Sequence, residues 1–538
     1  MRATLLPKPR SLQERAGVFV LTNATSLIVH HCFQPQADLL ADRVRTATGL
    51  PLPIEVVNDP PGKEEPRKAP RSGLGPLVPA ASGFTPDHFN RGHLCLVKDS
   101  SLDEEGYYVE VHPWGVRLMA STPRGMAHAV HSFFQLCPPA IFSRGPRIGI
   151  AWSLPCIQIK DSPQCRWRGI MLDCARHFIP VPILKRFIDL FALHHYNVVQ
   201  LHLNDDQGWR VEVKALPKLT ELAAVRKGTQ RGHQRAGGGV EAIPHRGFYT
   251  QAQLRDLVSF AEVRGIALVP EIAFPGHCTA FLAAYPHLAS GEPPSTPACE
   301  FGILPHALFP SEENLEFIAP AYEEVMNLFP APYLHIGGDE LLLERWNNDP
   351  RTPDLLHRLR LAEVSELQPW FTRHLHALAA RHGKRIIGWD EIHDERLPGD
   401  AILSVRGRLL PEALAKHEII LASNTHTYFD HYQSSAMEEE PLAIEGVTTL
   451  ETVYRFRPLA KLQEGDPSHL LGVQGHLWSE YLPDRQALEY MGFPRSCALA
   501  EAGWSSPELR DWDDFTHRLS RHLKRLDVLG VAYRKDCR

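Results

Sequence analysis

Between residues 167 and 475 the chain repeats one pattern: a short apolar run, a stretch with helical periodicity, then another run. Eight runs can be counted, at 169–173, 197–204, 266–273, 333–338, 385–389, 401–405, 418–423 and 471–475, and helical stretches at 181–195 and 251–264 lie between the first three. Strands covered on both faces by crossover helices read as continuous apolar runs rather than alternating ones. Such alternation of strand and helix predicts a parallel sheet, and eight units predict a sheet closed on itself. The expected fold is α/β, a (β/α)8 TIM barrel.

A barrel takes roughly 250 residues or more, so 538 residues leave room for a second, smaller unit. Residues 1–160 are expected to form an N-terminal α+β domain and 161–538 the catalytic barrel. Within the first unit, YYVEVHPWGVRLMA (107–120) alternates like a hairpin turning at 113–115, and 127–136 reads as an amphipathic helix. Residues 58–91 are crowded with Pro, Gly and charge, and read as an exposed or disordered insertion rather than a core element.

The balance of charge excludes several classes of function. A formal net charge of -6 offers no attraction to nucleic acid or to an anionic membrane. No run approaches the roughly 20 apolar residues that cross a bilayer. The opening MRATLLPKPR lacks the apolar core of a secretory signal, so a cytoplasmic or otherwise intracellular location is expected. The ten cysteines show no CxxC spacing and are expected to be small buried apolar residues. No metal and no cofactor is expected.

In a barrel, chemistry collects where strands end and the βα loops begin. Arg176 and His177 follow the first run, Asp205 and Asp206 the second, His277 the third, and Asp339 with Glu340 the fourth. Trp389, Asp390 and Glu391 close the fifth, Tyr428 and Asp430 follow the seventh, and Trp478 and Glu480 the eighth. Carboxylates, aromatic faces and one guanidinium converging on a rim suit a sugar: acids move protons and hold hydroxyls, and flat rings cover pyranose C–H faces.

The runs RGIMLDCARHF (168–178), HLNDDQGWR (202–210), VPEIAFPGH (269–277), HIGGDE (335–340), GWDE (388–391), YFD (428–430) and GVQGHLWSE (472–480) resemble family 20 glycoside hydrolases, in order and across the whole barrel. The N-terminal unit is similar to the small α+β domain that precedes the barrel in that family. The resemblance implies a retaining exo-β-N-acetylhexosaminidase acting on a glycan or glycoconjugate with a terminal β-linked N-acetylhexosamine. It implies that Glu340 protonates the leaving oxygen, and that Asp339 orients the substrate's own acetamido group, whose carbonyl oxygen attacks the anomeric carbon. His277, backed by Asp205 or Asp206, would tune the acid. Arg176 would clamp sugar hydroxyls and Glu480 read them from the opposite side. Trp389 and Trp478 would wrap the acetamido methyl and stack under the ring, while Tyr428 donates to the acetamido carbonyl with Asp430 nearby.

Outside the rim, Trp209 is expected to pack in the core, and Trp346 is open between packing and function. Two positions depart from the family pattern. Val405 stands where a pocket-closing tryptophan is usual, and implies a wider pocket with weaker acetamido binding or tolerance of bulkier N-acyl groups. Ala273 stands where aspartate is common, removing a charge behind the acid. Three other readings remain. A same-fold enzyme could release a disaccharide or a modified hexosamine. A metal-dependent hydrolase could draw on His202, His277, Asp205 and Glu340, although the paired-histidine spacings of metal sites are missing. A catalytically weakened sugar-binding barrel is suggested by Val405 and Ala273, and the intact Asp339 and Glu340 argue against it.

Overall fold

The computed structural model describes residues 3–58, 92–233, 238–407, 411–458 and 467–535. All eight expected barrel strands are present: Trp167–Asp173, Val198–His202, Ala267–Glu271, Tyr333–His335, Arg385–Trp389, Ile402–Val405, Glu418–Leu421 and Leu470–Leu477. They pair in parallel in the order third to eighth, then first and second, closing the barrel. The second, third and fourth strands stop short of the apolar runs that announced them. In the fourth, the left-handed glycines that follow His335 take the chain off the ladder.

Strand side chains alternate between the two faces of a sheet. Those pointing outward, among them Ile170, Leu172, Val199, Leu201, Leu334, Leu403 and Val405, form one core with the helices Val181–Leu193, Gln251–Val263, Glu312–Leu328 and Leu367–Arg381. Each such Leu or Ile, fully covered, contributes about 1.5–3 kcal/mol. The inward side chains build a packed interior in layers. Trp167, Val198, Val269, Ile387, Ile402, Ile420 and Leu471 fill the end where the strands begin. Nearer the other end lie Met171, Trp389, Ala422 and Trp478, with buried Gln200, His202, Glu271, His335, Gln474 and His476 among them. This polar upper layer is where the site sits.

The N-terminal unit is a seven-stranded mixed sheet in the order Ser11–Val20, Ser153–Asp161, Tyr107–His112, Gly115–Ala120, His93–Lys98, Leu27–His30, Ile54–Val57. The expected hairpin pairs antiparallel, with His112 opposite Gly115. Helices Gln34–Thr48 and Pro123–Leu136 share a core with this sheet. Thr122 caps the second by accepting from Gly125 N–H at 3.1 Å. The Pro-rich insertion expected at 58–91 lies, beyond Asn58, outside the described residues. Glu105 of this unit accepts from Arg168 Nη2 on the first barrel strand and from Asn197 Nδ2, the latter at 2.8 Å, tying the two units together. Of the nine described cysteines, seven are buried, and Cys32 and Cys299 are half-buried.

Candidate active site

The fourth strand delivers the acidic pair through a turn that only glycine can make. Gly337 and Gly338 have φ of +67° and +92°. A Cβ on the first would lie 2.7 Å from the Ala273 Cβ, and one on the second 2.3 Å from Ile392 Cγ2. The turn buries Asp339 and leaves the Glu340 side chain 33% exposed. Glu340 and His277 are themselves left-handed, at φ +52° and +49°. That region costs a residue with a Cβ about 1–2 kcal/mol, and such strain concentrates at functional sites.

Behind Glu340 runs a chain of alternating charges. Its Oε2 lies 3.3 Å from His277 Nε2. His277 Nδ1 lies 3.3 Å from Asp205 Oδ1 and 3.4 Å from Asp206 Oδ2. Asp205 Oδ2 is 2.9 Å from both His202 Nε2 and Arg176 Nη2. His202 Nδ1 then meets Glu271 Oε2 at 2.8 Å, and Glu271 Oε1 lies 3.1 Å from His335 Nδ1. A ring with a carboxylate at each nitrogen is held as the imidazolium. Burial opposes the charge on His202, but Glu271 and Asp205 prevail and push its pKa to about 10. The same contest, with Asp205 foremost among the anions, holds His277 well above its ordinary value.

The two acids are consequently pulled apart. The His277 hydrogen bond, with Arg406 adding to it, lowers Glu340 against the opposing effect of burial. Burial raises Asp339, over the opposition of His277 and Arg406.

Arg176 links this chain to the other wall. Its Nη1 is 3.2 Å from Asp173 Oδ2 and 3.8 Å from Glu480 Oε1, and its Cζ lies 5.1 Å from the Trp478 ring centroid. The Trp478 ring stands 5.9 Å from that of Trp389 and 6.5 Å from that of Tyr428. Burial raises both Asp430, further pushed by Glu480, and Glu480 itself. All ten residues singled out from the sequence, Asp205, His277, Asp339, Glu340, Arg176, Trp389, Tyr428, Asp430, Trp478 and Glu480, are thus brought together. Trp389 Nε1, Asp430 Oδ1 and Glu480 Oε2 are buried without a hydrogen-bond partner among the described residues. An unmet buried polar group costs about 1–3 kcal/mol, so three of them around one aromatic wall mark a place for a ligand with its own donors and acceptors.

One expectation is corrected. Val405 does not face the pocket: alternation along the sixth strand turns Leu403 and Val405 toward the outer helices. Arg406, the next residue, reaches the acids instead. Its Nη1 is 3.3 Å from Asp339 Oδ2 and 3.5 Å from Glu340 Oε1, its Nη2 pairs with Glu391, and its Cζ lies 4.9 Å from the Trp389 ring centroid. Val405 therefore opens no gap. Ala273 lies against Gly337, where a longer side chain would meet the turn, and the charges behind His277 come from Asp205 and Asp206. Trp209 is buried in the outer core, and Trp346 is buried with its Nε1 donating to Leu308 O at 2.9 Å, so both serve packing.

Two triplets, Asp205 with Asp206 and His277, and His277 with Asp339 and Glu340, bring their ligand atoms within 4.8 Å of one another. A cation there would compete with charges already in place, since Asp205 meets Arg176 and His202, and Asp339 meets Arg406.

A model of the glycosyl hydrolase family 20 catalytic domain matches residues 165–507, and one of that family's domain 2 matches residues 2–162. The chain belongs to glycosyl hydrolase family 20. It is 33% identical over 536 residues to a β-hexosaminidase of Porphyromonas gingivalis, covering 98% of this chain and 64% of that one. The chain thus spans just under two thirds of that relative's length. It is 30% identical to a β-N-acetylhexosaminidase of Cellulomonas fimi, covering 98% of this chain and 95% of the other. Among solved structures, a family 20 exo-β-N-acetylglucosaminidase from Vibrio harveyi in complex with N-acetylglucosamine superimposes with a TM-score of 0.79 at 30% identity. That match covers 99% of this chain and 80% of the other.

Within this family 20 site, sequence reasoning missed Arg406, Asp173, His202 as an imidazolium, Glu271 and His335. Each except Arg406 stands inside or directly at the end of an apolar run, where a polar residue facing the barrel interior is the signal. Arg406 directly follows Val405, at the end of the sixth run.

Proposed function

We propose that this chain removes terminal β-linked N-acetylhexosamine residues with retention of configuration, using the substrate's acetamido group as nucleophile. In this reading the carbonyl oxygen of that group bonds to the anomeric carbon as the glycosidic C–O bond breaks. The proton of Glu340 passes to the leaving oxygen. The resulting oxazolinium carries a positive charge that buried Asp339 faces in a site of low dielectric. Water then adds at the anomeric carbon, giving its proton to Glu340, and the acetamido group is regenerated. Arg176 and Glu480 hold the far hydroxyls, and Trp389, Tyr428 and Trp478 enclose the acetamido group and the sugar face. The observation that carries the reading is the buried Asp339 set against an aromatic wall, next to a partly exposed Glu340 hydrogen-bonded to His277.

The test is hydrolysis of p-nitrophenyl N-acetyl-β-glucosaminide and the galactosaminide by wild type, Asp339→Asn and Glu340→Gln, with product stereochemistry followed by NMR. Release of β-product by wild type is expected. A strong loss is expected in Asp339→Asn and a milder one in Glu340→Gln, because nitrophenolate leaves without much help from an acid. Release of α-product would overturn the mechanism.

A second reading draws on a cavity of about 590 Å3 beside the site, lined by His177, Gln230, His245, Glu480 and Tyr481. It lies next to the group assigned to the far hydroxyls, so a substituted sugar would extend into it. Faster turnover of a p-nitrophenyl β-disaccharide than of either monosaccharide would favour release of a disaccharide.

A further inference from the structure

Arg406 stands where the proposed chemistry has no room for it. Its guanidinium lies against both acids, at 3.3 Å from Asp339 Oδ2 and 3.5 Å from Glu340 Oε1, and covers the face of Trp389. Under the reading above, that same carboxylate and that same ring receive the acetamido group, and Asp339 must then face an oxazolinium cation. Two cations against one buried carboxylate repel each other. The arginine has one further partner within reach, the half-exposed carboxylate of Glu391, which its Nη2 already touches.

We propose that Arg406 is a positioning residue that stands in for the substrate's positive charge. In the free enzyme it favours the ionised form of Asp339 against the effect of burial and fills the acetamido pocket; when substrate enters, it withdraws onto Glu391 and hands Asp339 to the acetamido group. This rests on the function proposed above and adds to it a cationic placeholder on the sixth strand. The swing needs no backbone change, because Arg406 N–H stays anchored toward Asp390 Oδ1 at 3.3 Å while the side chain rotates.

Asp339 faces His277, Arg406, Glu340 and Glu271. Glu340 faces His277, Arg406 and Arg176. Arg406 faces Asp339, Tyr428, Glu340, Asp390 and Glu391. Arg406 already touches a further anion at the rim, Glu391, to which it can move.

The experiment is the pH dependence of kcat/KM and of kcat for p-nitrophenyl N-acetyl-β-glucosaminide, in wild type, Arg406→Met and Arg406→Lys, with Arg406→Gln as a replacement if the Met variant does not fold. The acid limb of kcat/KM reports Asp339 in the free enzyme, and that of kcat reports it in the complex. Losing a neighbouring opposite charge raises a carboxyl pKa by about 1 unit or more. In Arg406→Met the acid limb of kcat/KM is expected to move up by about one pH unit, KM to fall, and the acid limb of kcat to stay in place. Lysine restores the wild-type kcat/KM limb. An unmoved kcat/KM limb overturns the proposal, and so does an equal movement of both limbs, which would mean that Arg406 remains on Asp339 in the complex. A folded wild type that hydrolyses neither hexosaminide removes the functional reading and this proposal with it, whereas an active wild type with unmoved limbs in Arg406→Met removes this proposal alone.

Discussion

Asp205 is the anion on which the buried charge chain turns, and Asp205→Asn tests that chain with little change of shape. Three cations surround the carboxylate: Arg176 and His202 at 2.9 Å and His277 at 3.3 Å. Removing one partner of a buried ion pair leaves the rest uncompensated, at a cost of about 3–5 kcal/mol. The pH dependence follows from the folded-state pKa of Asp205. Burial opposes ionisation, but Arg176 first and His277 next hold that pKa well below the usual carboxylate range. A depressed carboxyl contributes stability that is fully present above its unfolded value of about 3.9. That stability is lost as pH falls toward the folded value. The deficit of the variant is therefore full at pH 7 and shrinks on acidification below about pH 4. Activity responds through His277, which loses its leading anion and with it the charge that holds Glu340 low. The basic limb of kcat/KM, set by loss of the Glu340 proton, is expected to move up by about one pH unit, equivalent to about 1.4 kcal/mol. Urea unfolding at pH 3 to 7 and a pH–rate profile measure both effects. A variant as stable as wild type at pH 7, or a deficit that grows in acid, would refute the reasoning.

Gly338→Ala is expected to destabilise by about 2–5 kcal/mol, summing the left-handed conformation and the overlap with Ile392, and thermal unfolding reads it directly. Trp478→Ala removes both a face of the aromatic wall and the ring under Arg176. A rise in KM of about tenfold or more with folding intact is expected, since a lost ring contact and cation–π pair amount to roughly 1–3 kcal/mol, and an unchanged KM would place the ring outside the sugar site. Dialysis against a chelator is expected to leave turnover unchanged, because the closest carboxylates already face Arg176, His202 and Arg406. Loss of activity, restored by a divalent ion, would instead make Asp205, Asp206 and His277 ligands.

The barrel was legible because parallel strands buried on both faces leave uninterrupted apolar runs, and the rim was legible because acids and aromatics follow those runs directly. What escaped notice required register. Whether Val405 or Arg406 enters the barrel is a question of one residue in a two-residue period, and the sixth run ends without a marker comparable to the paired glycines of the fourth. His202, Glu271 and His335 lie within apolar runs, so each looks like an isolated polar interruption. Only the closed barrel shows that they meet one another, second strand to third to fourth.

The site's two acids are adjacent in the chain and need opposite charge states, Asp339 ionised and Glu340 protonated, for the chemistry proposed. In the free enzyme their surroundings push the other way, since burial raises Asp339 and the His277 imidazolium lowers Glu340. The arrangement becomes sensible once substrate is added to the electrostatics. In the proposed reading a sugar seated on Trp478 and Trp389 would take water away from Glu340, whose side chain is the more exposed of the two, and desolvation raises a carboxyl pKa. The cation proposed to develop on the acetamido group would do the reverse for Asp339. In the proposed reading binding would raise Glu340 and lower Asp339, which favours the protonation states that the chemistry needs.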